Sequence, residues 1–222
     1  MSRTLQAPLS GLYPILDGSL IPLPELAAAA RVLCSSGVEQ VQLRLKDKSD
    51  RDRLEAQREV ALALEGSSAC LVINDRPDLA KILREEAPPG VRVALHLGQG
   101  DLDPEEARGM VGDDVHISLS THTLSQVEAS AALPLDGIAF GPVFPTSSKE
   151  EPDPCVGLDG LAEACRLSAL PVTAIGGISK DSVALCRSAG ASSFAVIGAL
   201  LSPWNPGTLQ ARAETLMERW HE

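Results

Sequence analysis

Aromatic side chains are almost missing from this 222-residue sequence, which has three Phe, two Trp and one Tyr. Positive charge is also short: 19 Lys and Arg face 30 Asp and Glu, for a formal net charge of -11. A chain without a basic stripe or stacking residues makes a poor nucleic-acid binder, so no nucleic-acid partner is expected. Such a chain also repels small anions unless its few cations are gathered at one place. No apolar run approaches the ~18–20 residues that span a membrane, so no membrane association is expected. The opening stretch MSRTLQAPLSGLYPILDGS lacks an uninterrupted apolar segment before a small-residue cleavage site, and no secretory signal is read there. Cys34, Cys70, Cys155, Cys165 and Cys186 are odd in number and lack CxxC or Cys/His ligand spacing. Four of them sit within periodic apolar segments and are expected to be reduced core residues, and the cytosol is the expected location.

What the chain does have is alternation. Strand-like apolar runs recur at 11–17, 38–45, 69–74, 93–98, 115–120, 137–143, 171–177 and 194–199. Helical patterns follow at 24–35, 50–65, 77–86, 103–110, 123–132, 158–168, 180–189 and 207–220. Asp103-Pro104-Glu105-Glu106 is a helix start, with an N-cap, Pro at the first helical position and acids in the first turn. Thr123 is a second N-cap, and Gly37 and Gly190 suit helix C-caps. Strict strand–helix alternation calls for a parallel sheet. Eight such units in this length fit a closed (β/α)8 TIM barrel, with a doubly wound open sheet as the structural rival. The whole chain, 1–222, is expected to be one barrel domain, with residues 1–10 a flexible N-terminal extension.

In such barrels the active site lies at the C-terminal strand ends, so polar residues there are counted together. Along VQLRLK, alternation puts Gln42, Arg44 and Lys46 on one face, expected to be the inner one. The third strand runs from Leu71-Val72-Ile73 into Asn74-Asp75, which taken alone reads as a turn. The fourth ends HLGQGD, offering His96, Gln99 and Asp101, and the fifth brings Ser118 or Ser120, with Thr121 and His122. Two carboxylates from adjacent strand tips make a reasonable Mg2+ site, because Mg2+ takes few protein oxygens and leaves the rest to water and substrate phosphates. Taken singly, Asp101 reads as an N-cap and His96 as a satisfied core histidine. After strand six comes a long polar loop carrying Thr146, Ser147, Ser148 and Lys149, expected to be a mobile segment that closes over the site. Strands seven and eight end AIGGIS and VIGAL, where glycines let backbone N–H groups approach a phosphate. Two anion sites emerge. One gathers Arg44, Lys46, Ser120 and Lys149 with a metal on Asp75 and Asp101; the other is the backbone of Gly176, Gly177 and Gly198.

The stretches VQLRLKD, VINDRPDLA, HLGQGDL, STHT, GPVFPTSSK, PVTAIGGIS and FAVIGAL, in this order, resemble the thiamine phosphate synthase family over most of the chain. The resemblance implies a barrel that joins a hydroxymethylpyrimidine diphosphate to a thiazole phosphate and releases pyrophosphate. It implies that Gln42 binds the pyrimidine side, while Arg44, Lys46, Asn74, Ser120 and Lys149 hold the diphosphate. Of these, Arg44, Ser120 and Lys149 would act on the leaving group as catalytic residues. Asp75 and Asp101 would hold Mg2+, and Thr146, Ser148, Gly177, Ile197 and Gly198 would bind the thiazole phosphate.

Four departures from the family pattern stand out. Strand one ends YPILDGS where the family usually has Thr-Asp, and Gly198 stands where a Ser commonly helps bind the phosphate. The segment 84–93 is longer than usual, and the loop after Lys149 carries Glu150, Glu151 and Asp153. A thiazole tautomerase of the same superfamily, with His122 as acid/base group, is the nearest rival reading. A non-catalytic thiamine phosphate binder and another phosphate-binding barrel enzyme are the others. The retained Arg44, Lys46, Asp75, Asp101 and Lys149 argue against the tautomerase. Nothing in the sequence opposes a homo-oligomer.

Overall fold

A strand whose residues are apolar on both faces must be covered on both, which parallel sheets achieve and half-exposed antiparallel sheets do not. The strand Cys70–Asn74 is such a case: Leu71 and Ile73 join the large outer core, while Cys70 and Val72 join a small inner one. A computed structural model describes residues 9–146 and 154–222. The expectation for the N-terminal extension at residues 1–8, and those for Ser147, Ser148 and Lys149, lie outside the described residues.

Eight parallel strands close into a barrel in sequence order, with the eighth pairing back onto the first. They are β1 (Gly11–Asp17), β2 (Gln40–Arg44), β3 (Cys70–Asn74), β4 (Arg92–Leu97), β5 (His116–Thr121), β6 (Gly137–Phe140), β7 (Val172–Ile175) and β8 (Ser193–Val196). Around them run α1 (Leu26–Ser35), α2 (Asp50–Ala63), α3 (Pro77–Glu86), α4 (Pro104–Val111), α5 (Leu124–Ser130), α6 (Gly157–Leu167), α7 (Val183–Ser188), α8 (Gly198–Leu201) and α9 (Pro206–His221). The open-sheet rival is excluded by the β1–β8 pairing. Asp103 caps α4 through Glu105 N–H with Pro104 next, and Thr123 and Gln126 form a capping box at α5. Gly37 and Gly190 adopt the positive φ of helix C-terminal glycines.

Five expected strands are shorter than their apolar runs: β2, β3, β6, β7 and β8. β6 stops at Phe140 and β7 at Ile175, because the chains beyond them cross at contact distance: a Cβ on Gly141 would sit 2.0 Å from the Ile175 carbonyl oxygen. The run 194–199 contains two elements: β8 ends at Val196, Ile197 turns to helical ψ, and α8 buries Leu200 and Leu201. Among the described residues no helix is long and apolar enough to cross a membrane, and all five cysteines are free thiols.

The outer core between strands and helices is aliphatic, built from residues such as Leu43, Leu71, Ile73, Leu95 and Ile117. The barrel interior differs. Its apolar cluster is small (Tyr13, Ile15, Cys70, Val72, Ala94 and Ala195), and polar side chains fill much of the rest. Polar groups in so buried a place must be hydrogen-bonded, which makes their partners informative.

Candidate active site

Gln42 and Arg44 point into the barrel as strand alternation requires. Gln42 is buried, and its Nε2 donates to the Tyr13 hydroxyl at 2.8 Å. Arg44 Nη1 donates to Asp17, the last residue of β1. Burial alone would raise the Asp17 carboxyl, but the Ser19 hydroxyl and N–H and the Arg44 guanidinium hold it below the ordinary range. Arg44 is thereby fixed in one rotamer beside the barrel mouth. Lys46 does not continue the strand's inner face, since β2 ends at Arg44; it projects from the following turn, half-exposed.

Lys46 Nζ lies 3.3 Å from Asp75 Oδ2, which brings the tips of β2 and β3 together. Asp75 has φ of 65°, in the left-handed region that a non-Gly residue enters at a cost, and such strain gathers at functional sites. Its backbone is held there by its own N–H donating to the His96 carbonyl at 2.8 Å. Asp101 folds back so that Oδ2 accepts from Gly98 N–H at 2.6 Å; the α4 N-cap is Asp103, so the capping reading of Asp101 is set aside. Burial and the neighbouring Asp75 carboxylate both raise the Asp101 carboxyl, and they outweigh the Gly98 N–H and Lys46, which lower it.

These observations fit a bound divalent cation. Two like charges face one another, and the cations paired within this set, Arg44 and Lys46, are fewer than its carboxylates, Asp17, Asp75 and Asp101, while the nearby Arg53 and Arg76 are engaged by Asp50 and Asp78. A polyanionic ligand is not attracted to that set until further positive charge is added. No cluster of three or more His, Cys, Asp or Glu suited to a metal occurs among the described residues, in keeping with Mg2+, which needs only one or two carboxylates. Beside the pair lies a cavity of about 50 Å³ lined by Lys46, Asn74, Asp75, Arg53, Arg76 and Gln57. The buried Gln57 Oε1 has no protein partner and lines the same space, so there is room and demand for water.

On the next two strands, His96 is buried between two hydroxyls, with Nδ1 2.8 Å from Ser118 Oγ and Nε2 2.9 Å from Ser120 Oγ. Desolvation pushes the imidazole down to about 4, so it is neutral at physiological pH. Gln99 Nε2 donates to the Ser120 carbonyl at 2.6 Å, fixing that residue's backbone as well. His122 is tied to the Gly141 carbonyl through Nδ1 at 2.7 Å.

At the opposite side of the mouth, Gly177 has φ of 63° and its backbone lies against the 144–145 segment, where a Cβ would come within 2.4 Å of the Pro145 carbonyl oxygen. Glycine is therefore required there by loop packing, whatever else approaches. Ile197 and Gly198 open α8, and Thr146 sits in the loop after β6. Ser148, expected to join this site, and Lys149, expected at the diphosphate, lie outside the described residues.

Two contributors were missed by sequence reasoning. Asp17 shares its strand face with Tyr13 and Ile15, so alternation alone could have placed it inside. Arg53 had no such signal. From α2 its Nε donates to the Leu45 carbonyl at 2.8 Å and its Nη2 to the Lys46 carbonyl, clamping the turn that carries Lys46.

With this geometry in view, the comparisons are specific. The family described as thiamine monophosphate synthase (TMP-TENI) matches residues 12–200. A thiamine-phosphate synthase of Anaeromyxobacter dehalogenans is 38% identical over 218 residues, covering 98% of this chain and 92% of its own. One from Koribacter versatilis is 40% identical over 197 residues, covering 87% and 90%. The solved thiamine phosphate pyrophosphorylase of Pyrococcus furiosus superposes with a TM-score of 0.80 at 26% identity, over 95% of each chain. The chain belongs to the thiamine monophosphate synthase family.

Proposed function

We propose that the barrel mouth joins a hydroxymethylpyrimidine diphosphate to a thiazole phosphate, forming thiamine phosphate and releasing pyrophosphate. The observation that carries this reading is the apposed pair Asp75 and Asp101 beside Lys46 and Arg44, in a chain of this family. As pyrophosphate departs, negative charge grows on it while the pyrimidine methylene carbon becomes electron-poor. Catalysis is then charge stabilisation at the leaving group, with no protein nucleophile required. Asp75 and Asp101 would hold Mg2+, which would supply Lewis acidity at the leaving group.

Arg44, Lys46, Asn74, Ser120 and Lys149 bind the diphosphate in this scheme, and Gln42 faces the pyrimidine. Lys46 exchanges its contact with Asp75 for a phosphate oxygen. Thr146, Ser148, Gly177, Ile197 and Gly198 take the thiazole phosphate across the mouth. Both substrates are small phosphorylated molecules, and with five free thiols the cytosol is the compartment assigned.

The direct experiment is to incubate the protein with both substrates and Mg2+ and look for thiamine phosphate. Product should form and should vanish in excess EDTA. Absence of product while either substrate binds would leave a non-catalytic binder, and turnover untouched by EDTA would remove the metal from the scheme.

Gly198 tests the placement of the second substrate. A Cβ there has only Ser202 Oγ at 4.0 Å as a neighbour, so Gly198→Ser is sterically free. A hydrogen bond to a charged group contributes roughly 1.5–3 kcal/mol. The variant should lower the apparent KM for thiazole phosphate by about tenfold or more and leave that for pyrimidine diphosphate nearly unchanged. An effect confined to the pyrimidine diphosphate would reverse the division of the two sites.

A further inference from the structure

Below the mouth, the barrel interior holds a second polar space. It is a cavity of about 20 Å³ at the N-terminal end of the strands, lined by Gln40, Tyr13, His116, Ser118 and Thr173 among others. Gln40 is 2% exposed, and its Nε2 has no hydrogen-bond partner. A cavity above roughly 10–15 Å³ with several polar walls holds a water molecule, and here a buried N–H donor asks for one. Ser118 both lines this cavity and contacts His96 Nδ1, while His96 Nε2 contacts Ser120 at the mouth. A continuous polar path therefore runs from the barrel floor to the candidate diphosphate site.

The path has a direction. A neutral imidazole carries one N–H donor and one acceptor nitrogen, so Ser118 and Ser120 play opposite roles towards it. If Nε2 accepted, the Ser120 hydrogen would be spent on His96 and its oxygen would meet the diphosphate with lone pairs only. If Nε2 donates, the Ser120 hydrogen is released to point outward. A diphosphate offers only acceptors, which selects the second arrangement at the top. At the floor, Gln40 Nε2 can only donate, which leaves both hydrogens of a water there free to donate and is compatible with the same arrangement from below. Each group then donates to the next: Gln40 to water, water to Ser118, Ser118 to His96 Nδ1, His96 Nε2 to Ser120. Bonds aligned in one sense strengthen one another.

We infer that Gln40, one buried water, Ser118 and His96 form a directional hydrogen-bond chain that presents the Ser120 hydroxyl as a donor to the departing diphosphate. Gln40 and Ser118 are positioning residues in this chain; no proton is transferred along it. The inference rests on the reading that places the diphosphate at Ser120, and it adds how that hydroxyl is set.

The test combines imidazole 15N NMR with kinetics on the intact protein. In the wild type, His96 should be the Nε2–H tautomer, both alone and with inorganic pyrophosphate and Mg2+. Ser118→Ala should shift His96 towards a tautomer mixture and lower kcat about tenfold, with the KM for thiazole phosphate unchanged. Ser118→Thr, which restores the hydroxyl, should recover both. Gln40→Leu should act in the same direction with a smaller effect. An Nδ1–H tautomer in the wild type overturns the chain without requiring any variant to fold. Unaltered kcat and tautomer in Ser118→Ala overturn it as well. Failure of the parent reading looks different: Ser120→Ala would turn over normally, or pyrophosphate would leave the Ser120 and His96 resonances unmoved.

Discussion

Asp101→Ala should leave the barrel folded and lower kcat/KM by about a hundredfold or more, equivalent to ~2.7 kcal/mol of transition-state stabilisation. Metal stabilisation of a departing diphosphate is large enough to account for that loss. Two roles of Asp101 have to be separated, because its Oδ2 also accepts from Gly98 N–H at 2.6 Å and so shapes the loop. Asp101→Asn keeps an acceptor for Gly98 but removes the charge. If charge at the metal site is what matters, the Asn variant should be nearly as slow as the Ala variant, with a raised Mg2+ requirement in both. An Asn variant close to wild type would assign Asp101 to loop geometry, and the metal reading would lose half its ligand set. Asp75→Ala should parallel Asp101→Ala.

Stability gives an independent check with a defined sign. Burial and Asp75 raise the Asp101 carboxyl in the folded metal-free protein. A group whose folded pKa lies above its unfolded value favours folding at acid pH, and that contribution is lost as pH rises through the folded pKa. Asp101→Asn removes the charge that is disfavoured at neutral pH. Its Tm without metal should therefore equal or exceed that of the wild type near pH 7, with the difference closing as pH falls below the ordinary Asp range. Added Mg2+ should raise the Tm of the wild type more than that of the variant, because only a ligand that binds the folded state stabilises it.

Legibility in the sequence followed the range of the interactions. Helix starts at Asp103 and Thr123 depend on bonds within three residues, and they could be read directly. The inward face of Gln42 and Arg44 followed from the two-residue period of a strand. Strand ends were harder. Where β6 and β7 stop is decided by loops separated by more than thirty residues, since Gly141 meets Ile175 and Gly177 meets Pro145. Lys46 lost its place on the inner face for a similar reason: the Arg53 clamp from α2 shapes the turn in which it sits. The polar interior was visible only as scattered residues. Gln40, Ser118 and His96 become one feature through the closure of the barrel, which no local pattern records.

The largest expected loss of stability belongs to a residue far from the mouth. Arg108 on α4 is 8% exposed, yet its guanidinium is well supplied with acceptors. Nη1 donates to the Gly112 carbonyl at 2.9 Å and the Val115 carbonyl at 2.5 Å. Nε and Nη2 share the Pro134 carbonyl at 3.2 and 3.0 Å, and Nη2 also reaches Asp136 Oδ2 at 2.7 Å. The same carboxylate oxygen accepts from Ile117 N–H at 2.8 Å, so one cation joins the end of α4, the start of β5 and the approach to β6. Arg108→Met keeps most of the side-chain volume but takes the guanidinium donors away from the three carbonyls and the cation away from the Asp136 carboxylate. Breaking a buried pair in this way costs about 3–5 kcal/mol, because the remaining charge stays buried without its partner. For a chain of this size each kcal/mol lowers Tm by about 2–4 °C, so a fall of roughly 6–20 °C is expected. Arg58 and Glu86 provide the control. Their fork is equally well formed, at 2.7 and 2.7 Å, but the side chains are 48% and 42% exposed, and water replaces what the pair supplies. Arg58→Met should barely move the Tm. Both variants should keep wild-type kcat at a temperature where they are folded, since the N-terminal ends of barrel strands serve stability rather than chemistry. Equal Tm shifts for the two would mean that burial is not what distinguishes these pairs, and Arg108 would join the ordinary surface arginines.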